Sequence, residues 1–133
     1  MSTQSFTISY ETFNSVKELS ESDQLLCNQA EAALASSHSP YSKFKVGTAI
    51  ALADGQVVLG SNQENLAYPS GLCAERVALF TIGANYPKAI IKTMAITAQT
   101  EVFKIENPVT SCGGCLQVMI EMEKRQKNVA VTT

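Results

Sequence analysis

Cys112-Gly113-Gly114-Cys115 is the stretch of this chain best equipped for chemistry. A C-x-x-C spacing puts two sulfurs on one side of a helix, and a Gly-rich turn lets them converge. Tetrahedral zinc, bonded at about 2.3 Å, is one use of such a pair. A thioredoxin-like redox couple and half of a structural zinc site are the others. Cys73-Ala74-Glu75 adds a third sulfur and a carboxylate. Three protein ligands leave a position for water, the pattern of hydrolytic zinc, whereas closed structural sites use four. The fourth cysteine, Cys27, falls on the apolar face of an expected helix and reads as a buried, inert thiol.

Glu75 stands two residues after Cys73, and such positions do not share a face within a helix. The two converge only if Cys73 sits at the very end of the helix and points back along it. Otherwise Glu75 is a first-turn carboxylate complementing the helix dipole. Three thiolates around one divalent ion leave net negative charge. Two helix N-termini and the Arg76 guanidinium are available to offset it, a reading preferred to that of a surface arginine on the helix's first turn.

The elements that must position these groups follow from periodicity. Ser20 to Ser37 reads as a helix, capped by Ser20 or Ser22, with Leu26, Ala30, Ala33 and Leu34 on one face. Ser39-Pro40 ends it. From Phe44 to Leu52 alternate residues are apolar, Asp54-Gly55 turns the chain, and Gln56 to Gly60 returns, which predicts a β-hairpin. Residues 61–72 read as loop, and Cys73 to Ala84 as a helix apolar nearly all round through Val77, Ala78, Leu79 and Phe80. Ile90 to Ala98 is a covered strand, residues 99–111 a polar loop, and Gly113 to Lys127 an amphipathic helix with Leu116, Met119, Ile120 and Met122 inward. Val129 to Thr133 begins another strand, and Phe6, Ile8 and Tyr10 alternate like a short strand or arm. Right-handed crossovers then predict parallel strands beside the hairpin, in an α/β fold: a three-layer α/β/α sandwich around a mixed sheet.

At 133 residues the chain is expected to be a single domain, 1–133. The formal charge of −2 and the lack of a basic stripe argue against a nucleic-acid partner. No apolar run reaches membrane-spanning length, and the first residues lack a signal-peptide pattern, so no membrane partner and a cytoplasmic location with free thiols are expected.

Four motifs in order carry a resemblance: Tyr41-Ser42-Lys43-Phe44-Lys45-Val46-Gly47, Asn62-Gln63-Glu64-Asn65, Gly71-Leu72-Cys73-Ala74-Glu75-Arg76 and Cys112-Gly113-Gly114-Cys115-Leu116-Gln117. Together they resemble the small three-cysteine cytidine deaminases, whose signature joins a Cys₃ zinc to a non-ligand glutamate. The resemblance implies one Zn²⁺ per subunit on Cys73, Cys112 and Cys115, and Glu75 as the proton carrier in hydrolysis of cytidine and deoxycytidine to uridine and deoxyuridine. It implies that Arg76 balances the thiolate charge, that Asn62 and Glu64 bind the ribose hydroxyls, and that Phe44 packs on the nucleoside. From pattern alone, Phe44 reads equally as an inward strand residue, and Asn62, Glu64 and Asn65 as turn residues. Tyr68 reads as pocket or interface, and the lone histidine, His38, as a helix-end residue. The resemblance further implies a homotetramer, with a homodimer as the alternative, and active sites that borrow residues from neighbouring subunits.

The pattern departs from the family at Ser111, where proline is usual, and at Leu116, where arginine is usual. The family's next strand and a closing segment with an aromatic lie beyond the strand that begins at Val129. Two alternative functions therefore stand beside the first: a catalytically impaired zinc-binding protein of the same fold, and a deaminase of another amino-heterocycle.

Overall fold

The computed structural model describes residues 2–5, 7–127 and 129–133. Helix α1 runs from Glu21 to Ala33 behind Ser20, whose hydroxyl accepts the Asp23 N–H. A 3-10 turn, Leu34–Ser36, extends it. Strand β1, Phe44–Leu52, folds back on β2, Val57–Ser61, at Asp54-Gly55, where Gly55 has φ +90°. Helix α2 is Ala74–Asn85, β3 is Ile91–Thr100 and α3 is Gly113–Arg125. No described helix is long and apolar enough to cross a membrane.

The sheet order is β2-β1-β3, and β1 is antiparallel to both neighbours. The sequence reading put parallel strands beside the hairpin; the crossover through α2 instead carries β3 past β2 to the free edge of β1. The two parallel strands, β2 and β3, thus flank β1 rather than pair. The sheet is mixed only at its far edge, where Thr132 bridges Thr93 in parallel and exchanges backbone hydrogen bonds of 2.8 and 3.0 Å with Met94 and Lys92. Residues 8 and 10 lie in no strand, and Phe6 is outside the described residues.

Helices cover both faces. Alternation along β1 sends Ala49 toward Leu26 and Ala30 of α1, and Ile50 and Leu52 toward Ala78, Leu79 and Ile82 of α2 and Met119 and Met122 of α3. The three-layer α/β fold is as expected. Two glycines allow the close approach. A Cβ at Gly47 would lie 2.1 Å from the Ala30 carbonyl oxygen, and one at Gly60 would lie 2.4 Å from that of Ala74.

Helix α3 is rotated from its expected setting. Leu116 and Ile120 are about half exposed, whereas Cys115, Met119 and Met122 are buried. Turning Cys115 into the core beside α2 fixes that rotation, because residues at i+4 and i+7 follow it inward. Likewise α2 is buried through Ala78, Leu79 and Ile82, but Phe80 is 47 % exposed, so the helix is not covered all round.

Candidate metal centre and active site

Cys73 and Cys112 are the N-cap residues of α2 and α3, both with extended backbone (φ, ψ of −68°, 154° and −69°, 162°). Neither helix receives a side-chain capping bond, and at α3 the Gly114 and Cys115 N–H groups meet the Cys112 sulfur instead. Gly60 lets α2 sit low on the sheet, which brings its first turn beside that of α3.

Three ligand atoms meet there. The Cys73 Sγ lies 3.9 Å from Cys112 Sγ, which lies 3.5 Å from Cys115 Sγ, and all three fall within 4.8 Å of one another. A regular zinc tetrahedron with about 2.3 Å bonds has sulfurs about 3.8 Å apart, so the cluster already has ligand spacing. Cys115 is fully buried, Cys73 half-buried and Cys112 exposed, which leaves the cluster open on one side. Cys27, half-buried in α1, takes no part; burial and the nearby Asp23 raise its thiol above the ordinary 9.0.

The three thiols are not alike. The Cys115 N–H, with the Cys115 and Cys73 thiols and the Gly114 N–H, outweighs burial and lowers the Cys112 thiol. Burial, then the Cys112 thiol and the Glu75 carboxylate, push Cys115 far up. Neighbouring thiols sharing one charge behave this way: the charge favours Cys112, which accepts the N–H groups, over buried Cys115. A bound divalent cation removes the obstacle at Cys115. Arg76 points its Nη2 at Cys73 Sγ, 3.7 Å away, and the thiols raise its pKa. Its Nε is buried and has no hydrogen-bond partner among the described residues. A positive group beside three sulfurs offsets the thiolate charge that zinc alone leaves uncancelled.

Glu75 is 5 % exposed and, among the described residues, accepts no hydrogen bond, though it is near enough to Cys115 for their charges to interact. A carboxylate so placed, beside a metal-binding cluster and without a structural partner, is free to accept and return a proton.

The other expected site residues gather one strand away. Gln63 and Leu72 form an antiparallel bridge with backbone bonds of 2.9 and 3.0 Å, which ties the 62–64 segment to the residue before Cys73. The Asn62 side chain is heavily engaged: Nδ2 donates to the Phe44 carbonyl at 2.8 Å, and Oδ1 accepts from the Val46 N–H at 2.8 Å and the Ser37 hydroxyl at 2.5 Å. Glu64 accepts from the Tyr41 N–H at 2.9 Å, the Ser42 N–H at 3.3 Å and the Ser42 hydroxyl. Desolvation opposes its ionisation, but these hydrogen bonds win and hold it below the ordinary 4.5. Phe44, half-buried, stacks on Phe103 with centroids 5.9 Å apart and planes 17° off parallel.

Phe103 and Ser42 were not singled out from sequence. Phe103 sits in the polar 99–111 stretch, where an isolated aromatic was the available signal. Tyr68 is 90 % exposed, and His38 exchanges backbone hydrogen bonds with Asn62 and Glu64 and adds a minor electrostatic contribution that lowers the Glu64 pKa. Leu116 is half-exposed on the first turn of α3, and the guanidinium found against the sulfurs is that of Arg76.

The fold and cluster together define a three-layer α/β protein with a three-thiolate metal site at two helix N-termini. The zinc-binding region described for cytidine and deoxycytidylate deaminases matches residues 20–132. The chain belongs to that family. It is similar to the cytidine deaminase of Halalkalibacterium halodurans, at 38 % identity over 99 residues, which is 74 % of this chain and 70 % of the relative. The cytidine deaminase of Sporosarcina psychrophila is 38 % identical over 96 residues, 72 % of this chain and 66 % of the relative. Among solved structures, the cytidine deaminase of Burkholderia pseudomallei superposes with a TM-score of 0.67 at 38 % identity, covering 80 % of this chain and 79 % of that one. That of Mycobacterium tuberculosis gives 0.62 at 31 % identity, with 74 % and 75 % covered.

Proposed function

We infer that this protein is a zinc-dependent hydrolase that converts cytidine and deoxycytidine to uridine and deoxyuridine. The observation that carries this is three sulfurs at tetrahedral spacing with a buried, unpartnered carboxylate beside them. Family membership and the cytidine deaminase relatives support the activity.

Cys73, Cys112 and Cys115 hold the metal in this reading. Bound zinc supplies Lewis acidity, which makes water a competent nucleophile near neutral pH. Glu75 takes a proton from the attacking water as the water oxygen bonds to C4. It delivers that proton to N3, then takes the remaining proton from the hydroxyl now on C4 and passes it to the 4-amino nitrogen as the C4–N bond breaks, so that ammonia leaves and the C4 carbonyl of uracil forms. Arg76 keeps the cluster from becoming too anionic, and its 3.7 Å approach to Cys73 supports that role. Phe44 offers a ring face to the base, and Glu64, kept ionised, accepts from ribose hydroxyls. Asn62, with most of its side-chain capacity spent on Phe44, Val46 and Ser37, serves the nucleoside by setting Phe44 and through one remaining Nδ2 hydrogen.

The assembly we propose is a homotetramer, with a homodimer as the alternative. Exposed Phe80, Leu116, Ile120 and Tyr68 on α2, α3 and the 66–70 loop support it. A cytoplasmic location is supported by four free cysteines.

The test is to measure zinc per chain and loss of cytidine absorbance on one preparation. About one zinc per chain, with turnover abolished by a chelator and restored by zinc, is expected. Zinc-loaded protein inert toward cytidine but active on another amino-heterocycle moves the substrate elsewhere; zinc-loaded protein inert toward all of them leaves only a binding role.

A further inference from the structure

The Ser42 hydroxyl touches two of the residues assigned to the nucleoside without being one of them. It donates to Glu64 Oε1 and accepts the Phe44 N–H at 3.0 Å. The neighbouring Tyr41 and Ser42 N–H groups hold Glu64 Oε2. At its other end Phe44 is fixed through its carbonyl by Asn62 Nδ2. The loop can double back in this way because Lys43 adopts φ +57°, a conformation unusual for a side-chain-bearing residue, with its carbonyl accepting from the Thr100 hydroxyl at 2.8 Å. One exposed hydroxyl thus joins the carboxylate to the backbone of the aromatic ring.

We propose that Ser42 is a positioning residue that locks the Glu64 carboxylate to the Phe44 platform, so that the ribose clamp is set before substrate arrives. The proposal rests on the reading of Glu64 as the ribose acceptor. Two features favour a functional role over mere loop stability. The network ends on a carboxylate with one lone-pair site of Oε1 still open, and it is built from an exposed residue where water could have served as donor. A free carboxylate side chain samples several rotamers, whereas one held by three donors loses little entropy on binding. The saving is made in binding, so it lies in KM rather than in kcat.

The experiment measures kcat and KM of zinc-loaded protein for cytidine and for 2′,3′-dideoxycytidine, in wild type, Ser42→Ala, Ser42→Thr, Glu64→Gln and the Ser42→Ala/Glu64→Gln pair. Removing one hydrogen bond to a charged group should raise KM for cytidine about ten-fold in Ser42→Ala, with kcat changed less than about three-fold. Ser42→Thr keeps the hydroxyl and should recover most of the loss. KM for the dideoxy substrate should move less than about two-fold, because it lacks the hydroxyl that Glu64 receives. In the Glu64→Gln background, Ser42→Ala should add no further effect beyond about two-fold. Equal KM increases for both substrates, or full additivity in the pair, overturn the proposal and make Ser42 a loop stabiliser. If Glu64→Gln raises the cytidine KM and Ser42→Ala does not, Ser42 alone is misassigned. If Glu64→Gln leaves it unchanged, the ribose reading itself fails. Should Ser42→Ala not fold, Ser42→Cys, a poorer donor of similar size, carries the same comparison.

Discussion

Replacing Gly60 by alanine should damage the metal centre without touching any of its residues. A Cβ at position 60 would lie 2.4 Å from the Ala74 carbonyl oxygen and 2.8 Å from the Ala78 nitrogen, both backbone atoms of α2. Neither is the tip of a flexible side chain, so relief requires the helix or the strand to move. Restoring ordinary contact takes about 1 Å, because packed interiors hold no slack to absorb it. That displacement falls on the first turn of α2, which carries Cys73 at its cap and Glu75 two residues further in. Cys73 then leaves the spacing, now 3.9 Å to Cys112, at which a zinc ion spans both sulfurs. We expect Gly60→Ala to cost about 1–3 kcal/mol in folding stability, as overpacked cores do. A misplacement of this size should lower kcat/KM about a hundred-fold. Zinc titration against a competing chelator, a thermal melt and cytidine turnover on one preparation separate local displacement from unfolding. A variant that melts with the wild type, binds one zinc per chain and turns over within about three-fold of it would refute the reasoning, since α2 would then not be seated by that contact.

Other perturbations test other links. Glu75→Gln keeps the size of the side chain but cannot carry a proton; zinc content should stay the same while kcat falls by about 10²–10⁴, and a near-normal rate would remove Glu75 from the chemistry. Thr48 is fully buried and its hydroxyl has no partner among the described residues, so Thr48→Val should leave stability unchanged or raise it by about 1 kcal/mol, read as a shift in urea midpoint at constant m. Because the Glu64 pKa is lowered on folding, its stabilising contribution is present above its unfolded value near 4.5 and is lost as pH falls through the folded one. Denaturation of Glu64→Gln below about pH 4.5 should therefore show a weaker acid-side loss than wild type, and identical profiles would mean that the Ser42 and Tyr41 hydrogen bonds do not persist in solution.

Much of this protein could be read from its one-dimensional sequence, because the informative features are local. The C-x-x-C pair, the cap position of Cys73 and the Ser20 cap are short-range matters of helix geometry, and the Asp54-Gly55 hairpin declares itself by its turn. Burial was legible on the apolar face of β1, as for Ile50 and Leu52, but not on its other face, where Ala49 is buried because α1 covers it. Three things were decided by tertiary packing. The strand beside β1 is antiparallel, because order in a sheet depends on where a crossover lands and not on the residues it carries. Leu116 and Ile120 face outward because Cys115, buried in a cluster with Cys73 at the start of another helix, sets the rotation of α3. Ser42 gains its role only when residue 64 is brought back across the hairpin, twenty-two positions along the chain. Sequence alone thus determined which groups exist and on which helix ends they stand. Only the folded chain decided which of them share a hydrogen bond, since that depends on contacts between segments whose spacing in sequence carries no trace of the meeting.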